Sequence, residues 1–201
     1  MVTQRNEVHT PMPRAEPPLK RPLRRSDYHA LIEAGVFEGE RVELLFGELS
    51  PMTSQSRRHN RTARDFYDAL RDALRGRASL QQHSAIIAAN DSEPEPDVSV
   101  YDPADDESDD HPAHVWLVIE VSDSSRYKDK GPKAELYALS GIPDYWMLDL
   151  QKREVRVMRD PAPEDREYRS IETLKFGEGH RLSPLRFPDV SLDLDALVPR
   201  Q

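Results

Sequence analysis

The chain has 201 residues, of which 37% are hydrophobic and 32% charged, with a net charge of −9 and no cysteine. That length supports one domain with a modest core and little beyond it. The lack of cysteine excludes disulfides and thiolate metal sites, no apolar run approaches the roughly 18 residues of a membrane span, and the opening M-V-T-Q-R-N-E-V-H-T has no leader-type apolar run, so a reducing cytoplasm is the expected setting.

Residues 1–25 hold five prolines, scattered arginines and almost no large apolar side chains, which predicts a disordered, mildly basic tail ahead of a domain over residues 26–197. Ser26 has N-cap chemistry, and D-Y-H-A-L-I-E-A with Gly35 behind it predicts a helix of about two turns. R-V-E-L-L-F-G-E-L-S-P places β-formers on both sides of Phe46-Gly47, the pattern of a hairpin.

From Arg57 to Arg75, Ala63, Tyr67, Leu70 and Leu74 recur at helical spacing and predict the buried face of a long helix that Gly76 ends. His59 lies one turn ahead of Ala63, so it points toward the packing partner or serves as an exposed or capping residue near the helix start. Arg57, Arg58, Arg61, Arg64, Arg71, Arg75 and Arg77 make this region basic. Asp65, Asp68 and Asp72 interleave with them, so the arginines read as a solvated helix face, with a phosphate-binding face as the alternative.

S-L-Q-Q-H-S-A-I-I-A-A predicts one strand or a pair, and D-S-E-P-E-P a turn that delays the next strand, D-V-S-V-Y, until Asp97. D-P-A-D-D-E-S-D-D-H-P-A-H predicts a mobile acidic loop, and Val115 to Val121 a central strand. Gly131 and Pro132 open a helix that reaches Ser140, with Gly141 as its cap. Y-W-M-L-D-L and E-V-R-V-M-R predict two more strands across Q-K-R, followed by weaker edge strands ending near Leu197.

A negative net charge argues against a nucleic-acid partner, because duplex affinity is mostly phosphate neutralisation. The distribution tempers this: Asp91 to Asp110 contains ten acidic residues and no Lys or Arg, which leaves the rest of the chain near neutral.

If the strands at Asp97 and Glu120 are antiparallel neighbours, their carboxylates share one sheet edge about 5 to 8 Å apart. One divalent ion with oxygen ligands at about 2.1 Å bridges such a gap, and Mg²⁺ or Mn²⁺ suits an all-oxygen site. An ammonium nearby would stabilise charge that builds during phosphodiester hydrolysis. Lys133, near the start of the following helix, is the candidate, with Lys128 and Lys130 as alternatives and an ordinary surface lysine as the plain reading. G-I-P-D-Y-W reads as scaffold, with Tyr145 and Trp146 starting a buried strand and a binding role for Trp146 as the alternative.

Together, E-L-L-F-G-E-L, His59, E-P-D-V-S-V, L-V-I-E-V-S-D-S-S, R-Y-K-D-K-G-P-K and L-Y-A-L-S-G-I-P-D-Y-W resemble the Uma-type putative restriction endonuclease family, a branch of the PD-(D/E)XK nuclease superfamily. The resemblance covers about Ser26 to Leu197. It implies an α/β fold, a mixed sheet with flanking helices in a restriction-endonuclease-like core. It also implies Asp97 and Glu120 as metal ligands, with Glu43 or Glu48 and His59 near the site. Where the superfamily pattern has lysine two residues after the glutamate, this chain has Ser122, and the helix lysine of the family maps onto Lys133.

The expected function is a Mg²⁺- or Mn²⁺-dependent endonuclease acting on DNA, with RNA or another phosphodiester as a further substrate class. A homodimer would suit duplex cleavage. The rival from another class is a catalytically inactive nuclease-fold binding or regulatory module, motivated by Ser122 and by the acidic surface.

Overall fold

The computed structural model describes residues 21–123 and 131–198. Most of the expected tail, as well as Lys128 and Lys130, lies outside the described residues. Helix α1 (Arg25–Glu33) starts one residue before the expected Ser26 cap; the Asp27 carboxylate, in its first turn, accepts from the Arg24 backbone N–H at 3.0 Å. Leu23 N–H donates to Gly47 O at 3.0 Å and Arg25 N–H to Asn90 O at 2.9 Å, which ties the entry of the chain to the hairpin.

That hairpin pairs β1 (Val42–Leu45) with β2 (Glu48–Pro51). Its two turn residues, Phe46 and Gly47, have φ of 51° and 74°, the left-handed pair that matches the twist of a two-residue hairpin. Helix α2 (Arg57–Leu74) is capped by Ser56, whose Oγ accepts from His59 N–H at 3.1 Å. Its buried face comprises His59, Thr62, Ala63, Phe66, Leu70 and Leu74. Phe66, not the expected Tyr67, completes the stripe: Tyr67 is half-buried at the margin.

The main sheet has six strands in the order β3 (Ser79–Gln82), β4 (Val98–Tyr101), β5 (Val115–Ser122), β6 (Asp144–Asp149), β7 (Glu154–Ala162) and β8 (Glu167–Lys175). All neighbours are antiparallel except β5 and β6, whose parallel pairing needs a crossover that carries α3 (Gly131–Leu139). A small antiparallel pair, β9 (Arg181–Leu182) with β10 (Leu192–Asp193), and the short α4 (Leu194–Leu197) close the described chain. The S-L-Q-Q-H-S-A-I-I-A-A run yields only β3, because His83 turns into the left-handed region at φ 49°.

The β5 residues alternate between two cores. Leu117, Ile119 and Val121 join Phe66, Leu70 and Leu74 of α2, whereas Val118 joins Tyr137 and Ala138 of α3. Helices α2 and α3 therefore cover opposite faces. Within G-I-P-D-Y-W, Trp146 is fully buried and donates Nε1–H to Asp144 at 2.8 Å. Asp144 also accepts from Arg159 Nε at 2.9 Å and Leu185 N–H at 2.8 Å, so the motif's carboxylate closes the sheet to the C-terminal segment.

The acidic loop is more organised than its charge suggests. It contains a 3₁₀ turn, Pro103–Glu107, and Asp105 accepts from Ala113 N–H at 2.8 Å, from His114 N–H at 2.7 Å and lies 2.7 Å from His114 Nδ1. Asp106 accepts from Tyr101 OH at 2.9 Å, and Arg25 binds Asp110 at 2.6 Å. Among the described residues no helix is long and apolar enough to cross a membrane.

Replacing Phe66 with Ala should cost about 3–5 kcal/mol of unfolding free energy, with a clearly smaller loss for Tyr67→Ala; denaturant titration checks both. The hydrogen bond and charge of Asp105 raise the His114 imidazole above its ordinary 6.5. The protonated tether is therefore complete below that value and is lost as pH rises through the folded-state pKa. NMR titration should show His114 moving back toward 6.5 in Asp105→Asn.

Candidate active site

Register brings the two predicted carboxylates together. Val98 pairs with Ile119 across β4 and β5, so Asp97, one residue before β4, stands opposite Glu120. Both are buried, at 2% and 3% exposure. They lie along a cleft of about 440 Å³ whose lining includes Glu43, Gln55, His59, Asp97, Glu120, Ser122, Asp123 and Lys133.

Asp97 is held from several sides. Its Oδ2 accepts from Val121 N–H at 2.6 Å and lies 3.0 Å from His59 Nε2; its Oδ1 accepts from Gln55 Nε2 at 3.0 Å and lies 3.5 Å from His83 Nδ1. Among the described residues the buried Nδ1 of His59 has no hydrogen-bond partner, which fits the tautomer with its proton on Nε2, facing Asp97. Burial by itself would raise the Asp97 carboxyl, but the hydrogen bonds of His59 and His83 and the Val121 N–H outweigh it and hold the group well below 3.8.

Glu120 is met from α3. Lys133 Nζ donates to its Oε1 at 2.9 Å and Tyr137 OH donates to the same oxygen at 2.8 Å. Lys133 and Tyr137 are four residues apart, so one helix face delivers both donors. The same ammonium reaches Glu43 Oε2 at 2.9 Å, and that oxygen also accepts from Glu95 N–H at 3.1 Å. Burial opposes the charge on Lys133, yet Glu120 and Glu43 together raise it above 10.5. Burial also raises the Glu43 carboxyl; Lys133 offsets part of this and Glu120 adds to it. Desolvation, then Glu120, lifts the Tyr137 hydroxyl well above 10.0, so it stays a donor. The Tyr145 ring, 5.0 Å away and edge-on at 71°, backs Tyr137 from within the G-I-P-D-Y-W strand.

Of the residues singled out in the sequence, Asp97, Glu120, Lys133, Glu43, His59 and Ser122 all line the cleft. Glu48 does not: it sits exposed on β2, outside that lining. Register sets Glu48 opposite Leu45, on the same face of the hairpin as Glu43, so it is its place beside the turn, two residues along from Glu43's partner Ser50, that keeps Glu48 outside the cleft. Gln55, His83, Asp123 and Tyr137 were not anticipated. The Lys133 to Tyr137 spacing could have revealed the last of them, but nothing local marks Gln55 or His83. Trp146, in the core, has no route to the cleft.

The donor set can accept a hard divalent ion. Lys133 and Tyr137 both use Oε1 of Glu120, and among the described residues no hydrogen bond falls on Oε2. Among the described residues no group of three or more His, Cys, Asp or Glu side chains is arranged to hold a metal ion, so the protein offers at most a pair. Mg²⁺ is commonly held by one or two carboxylates with waters and substrate oxygens filling its shell, so an open two-carboxylate site is compatible with it.

The triad gives a stability prediction. Lys133→Ala strands two buried carboxylates and should cost about 3–5 kcal/mol. Glu43 already has a folded-state pKa above 4.5, so its proton favours the fold. That contribution is complete below the unfolded value and is lost as pH rises through the folded one. The variant should therefore recover stability in acid; an equal deficit in urea melts at pH 5 and pH 8 would refute this.

Comparison with known proteins places this geometry in context. No curated protein matches the chain. A crystal structure of a putative nuclease belonging to DUF820 from Anabaena variabilis aligns with a TM-score of 0.65 at 17% identity, over 88% of this chain and 97% of that one, a likeness of fold. The family model described as Uma2, putative restriction endonuclease, matches residues 25–195, and the chain belongs to that family.

Proposed function

We propose that the protein is a metal-dependent endonuclease that hydrolyses DNA phosphodiester bonds, with Asp97 and Glu120 holding Mg²⁺ or Mn²⁺ and Lys133 stabilising charge. The observation that carries the reading is the Lys133 ammonium at 2.9 Å from Glu120 Oε1, supplied by α3 where Ser122 stands at the usual lysine position. A divalent ion in such a site polarises a phosphoryl oxygen and makes a water more acidic.

The chain's own residues orient and neutralise. Val121 N–H, His59 and Gln55 fix the Asp97 carboxylate in its charged form, and Tyr137 fixes Glu120. When water adds to phosphorus and the ester P–O bond breaks, negative charge grows on the non-bridging oxygens. Lys133, itself buried, supplies fixed positive charge beside them, and preorganised donors act most strongly where water is excluded. Glu43 is a positioning residue: it holds the ammonium between two carboxylates.

Purified protein should nick plasmid DNA with Mg²⁺ or Mn²⁺. Asp97→Asn and Glu120→Gln should abolish nicking, and Lys133→Ala should slow it by about 10²–10³-fold, the usual effect of losing one such donor. Equal activity in wild type and both carboxylate variants sinks the proposal. A panel of RNA and DNA substrates assigns the preferred diester.

One observation favours the second reading, an inactive binding or regulatory module. Lys133 already offsets part of the charge on Glu43 and Glu120, and Asp97 has four neighbouring donor groups, so protein groups alone partner all three carboxylates. Calorimetry separates the two: millimolar Mn²⁺ should bind the wild type and not Asp97→Asn, whereas no heat from the wild type favours the module.

A further inference from the structure

Next to the cleft lies a second cavity of about 670 Å³, lined by Arg41, Gln55, Arg57, Asn60, Arg61, Arg64, Gln82 and His83. Its lining has four guanidinium groups, no carboxylate, and no large apolar or non-histidine aromatic side chain. Two of its residues touch the proposed metal ligand: Gln55 donates to Asp97 Oδ1, and His83 Nδ1 lies 3.5 Å from the same oxygen. Gln55 lines both cavities. The arginine-lined space therefore begins one side chain from the proposed reaction centre.

We infer that this cavity binds the DNA backbone phosphates next to the scissile one, through Arg57, Arg61 and Arg64 of α2, in a way that ignores base sequence. The inference rests on the nuclease reading and extends it to substrate positioning. Arg57, Arg61 and Arg64 follow each other at i, i+4 and i+7, so they share the solvent face of the helix whose other face carries Thr62, Ala63 and Phe66 into the core. They span about 10 Å along the axis, roughly three nucleotide steps of one duplex strand.

The counter-charges nearby are weak competitors. Arg61 lies 3.5 Å and Arg64 3.2 Å from Asp65, and Arg41 lies 2.5 Å from Glu95, but these guanidinium groups are 57–68% exposed, where ion pairs hold little free energy. Arg57 forms no ion pair with a described residue. A row of phosphates offers each guanidinium two acceptor oxygens at once. The cavity has no large stacking surface for bases, so recognition there is confined to phosphate and sugar.

The test uses the full chain in EDTA, so that binding is read without cleavage, with a fluorescent DNA oligonucleotide followed by anisotropy across a salt series. Arg57→Ala/Arg61→Ala/Arg64→Ala should lower the slope of log affinity against log salt by about 2–3, near 0.9 for each lost phosphate contact. Arg71→Ala, two turns further along α2, should leave it unchanged. With Mn²⁺, the triple variant should keep wild-type turnover of a small diester, thymidine 5′-(4-nitrophenyl) phosphate, while losing plasmid nicking. Unchanged slope in the triple variant, absence of salt-dependent binding in the wild type, or equal loss on both substrates overturns the inference. Intact, arginine-dependent binding by a protein that cleaves neither substrate strikes the nuclease reading alone.

Discussion

The Lys133 ammonium, shared between Glu43 and Glu120, is the contact on which the site depends. Each of these residues is 9% exposed or less, and a buried charge without a partner is among the costliest features a fold can carry. The three groups come from the hairpin, from the central strand and from the crossover helix. None can be placed correctly unless the other two are. The site is thus coupled to the assembly of three separate elements, and its carboxylates meet their shared counter-ion only once the sheet, the hairpin and α3 have docked.

The rest of the structure serves that arrangement from two sides. On one face, α2 presents His59 to Asp97 and buries Phe66, Leu70 and Leu74 against β5. On the other, α3 presents Lys133 and Tyr137 to Glu120, and the Tyr145 ring backs Tyr137. The sheet order is what makes this possible. A parallel β5–β6 pair requires a crossover connection, and the helix it carries brings Lys133 and Tyr137 back to Glu120 near the end of β5.

The conspicuous G-I-P-D-Y-W segment works through packing: the buried Asp144 accepts from three donors and Trp146 fills the core. The acidic loop folds around its own carboxylates, because Asp105 can cap two backbone N–H groups and face His114 at once. Like charges in sequence need not repel when each finds separate donors. The basic face of α2 stands apart from that loop, so the negative total conceals an arginine-lined cavity beside the cleft.

The sequence by itself determined the pieces with strong local chemistry: the Phe46-Gly47 hairpin, the long amphipathic helix, the apolar strand before Glu120 and the Gly131–Gly141 helix. It also pointed to Asp97, Glu120, Lys133, Glu43 and His59, partly through spacing and partly through family resemblance. Only the tertiary structure decided that Phe66 rather than Tyr67 faces the core, that His83 stops its strand, and that Gln55 and His83 meet Asp97. It also separated Glu43 from Glu48. The reason is physical: period and propensity act over a few residues, whereas the Gln55–Asp97 contact joins residues 42 positions apart, where only strand register and docking set the distance.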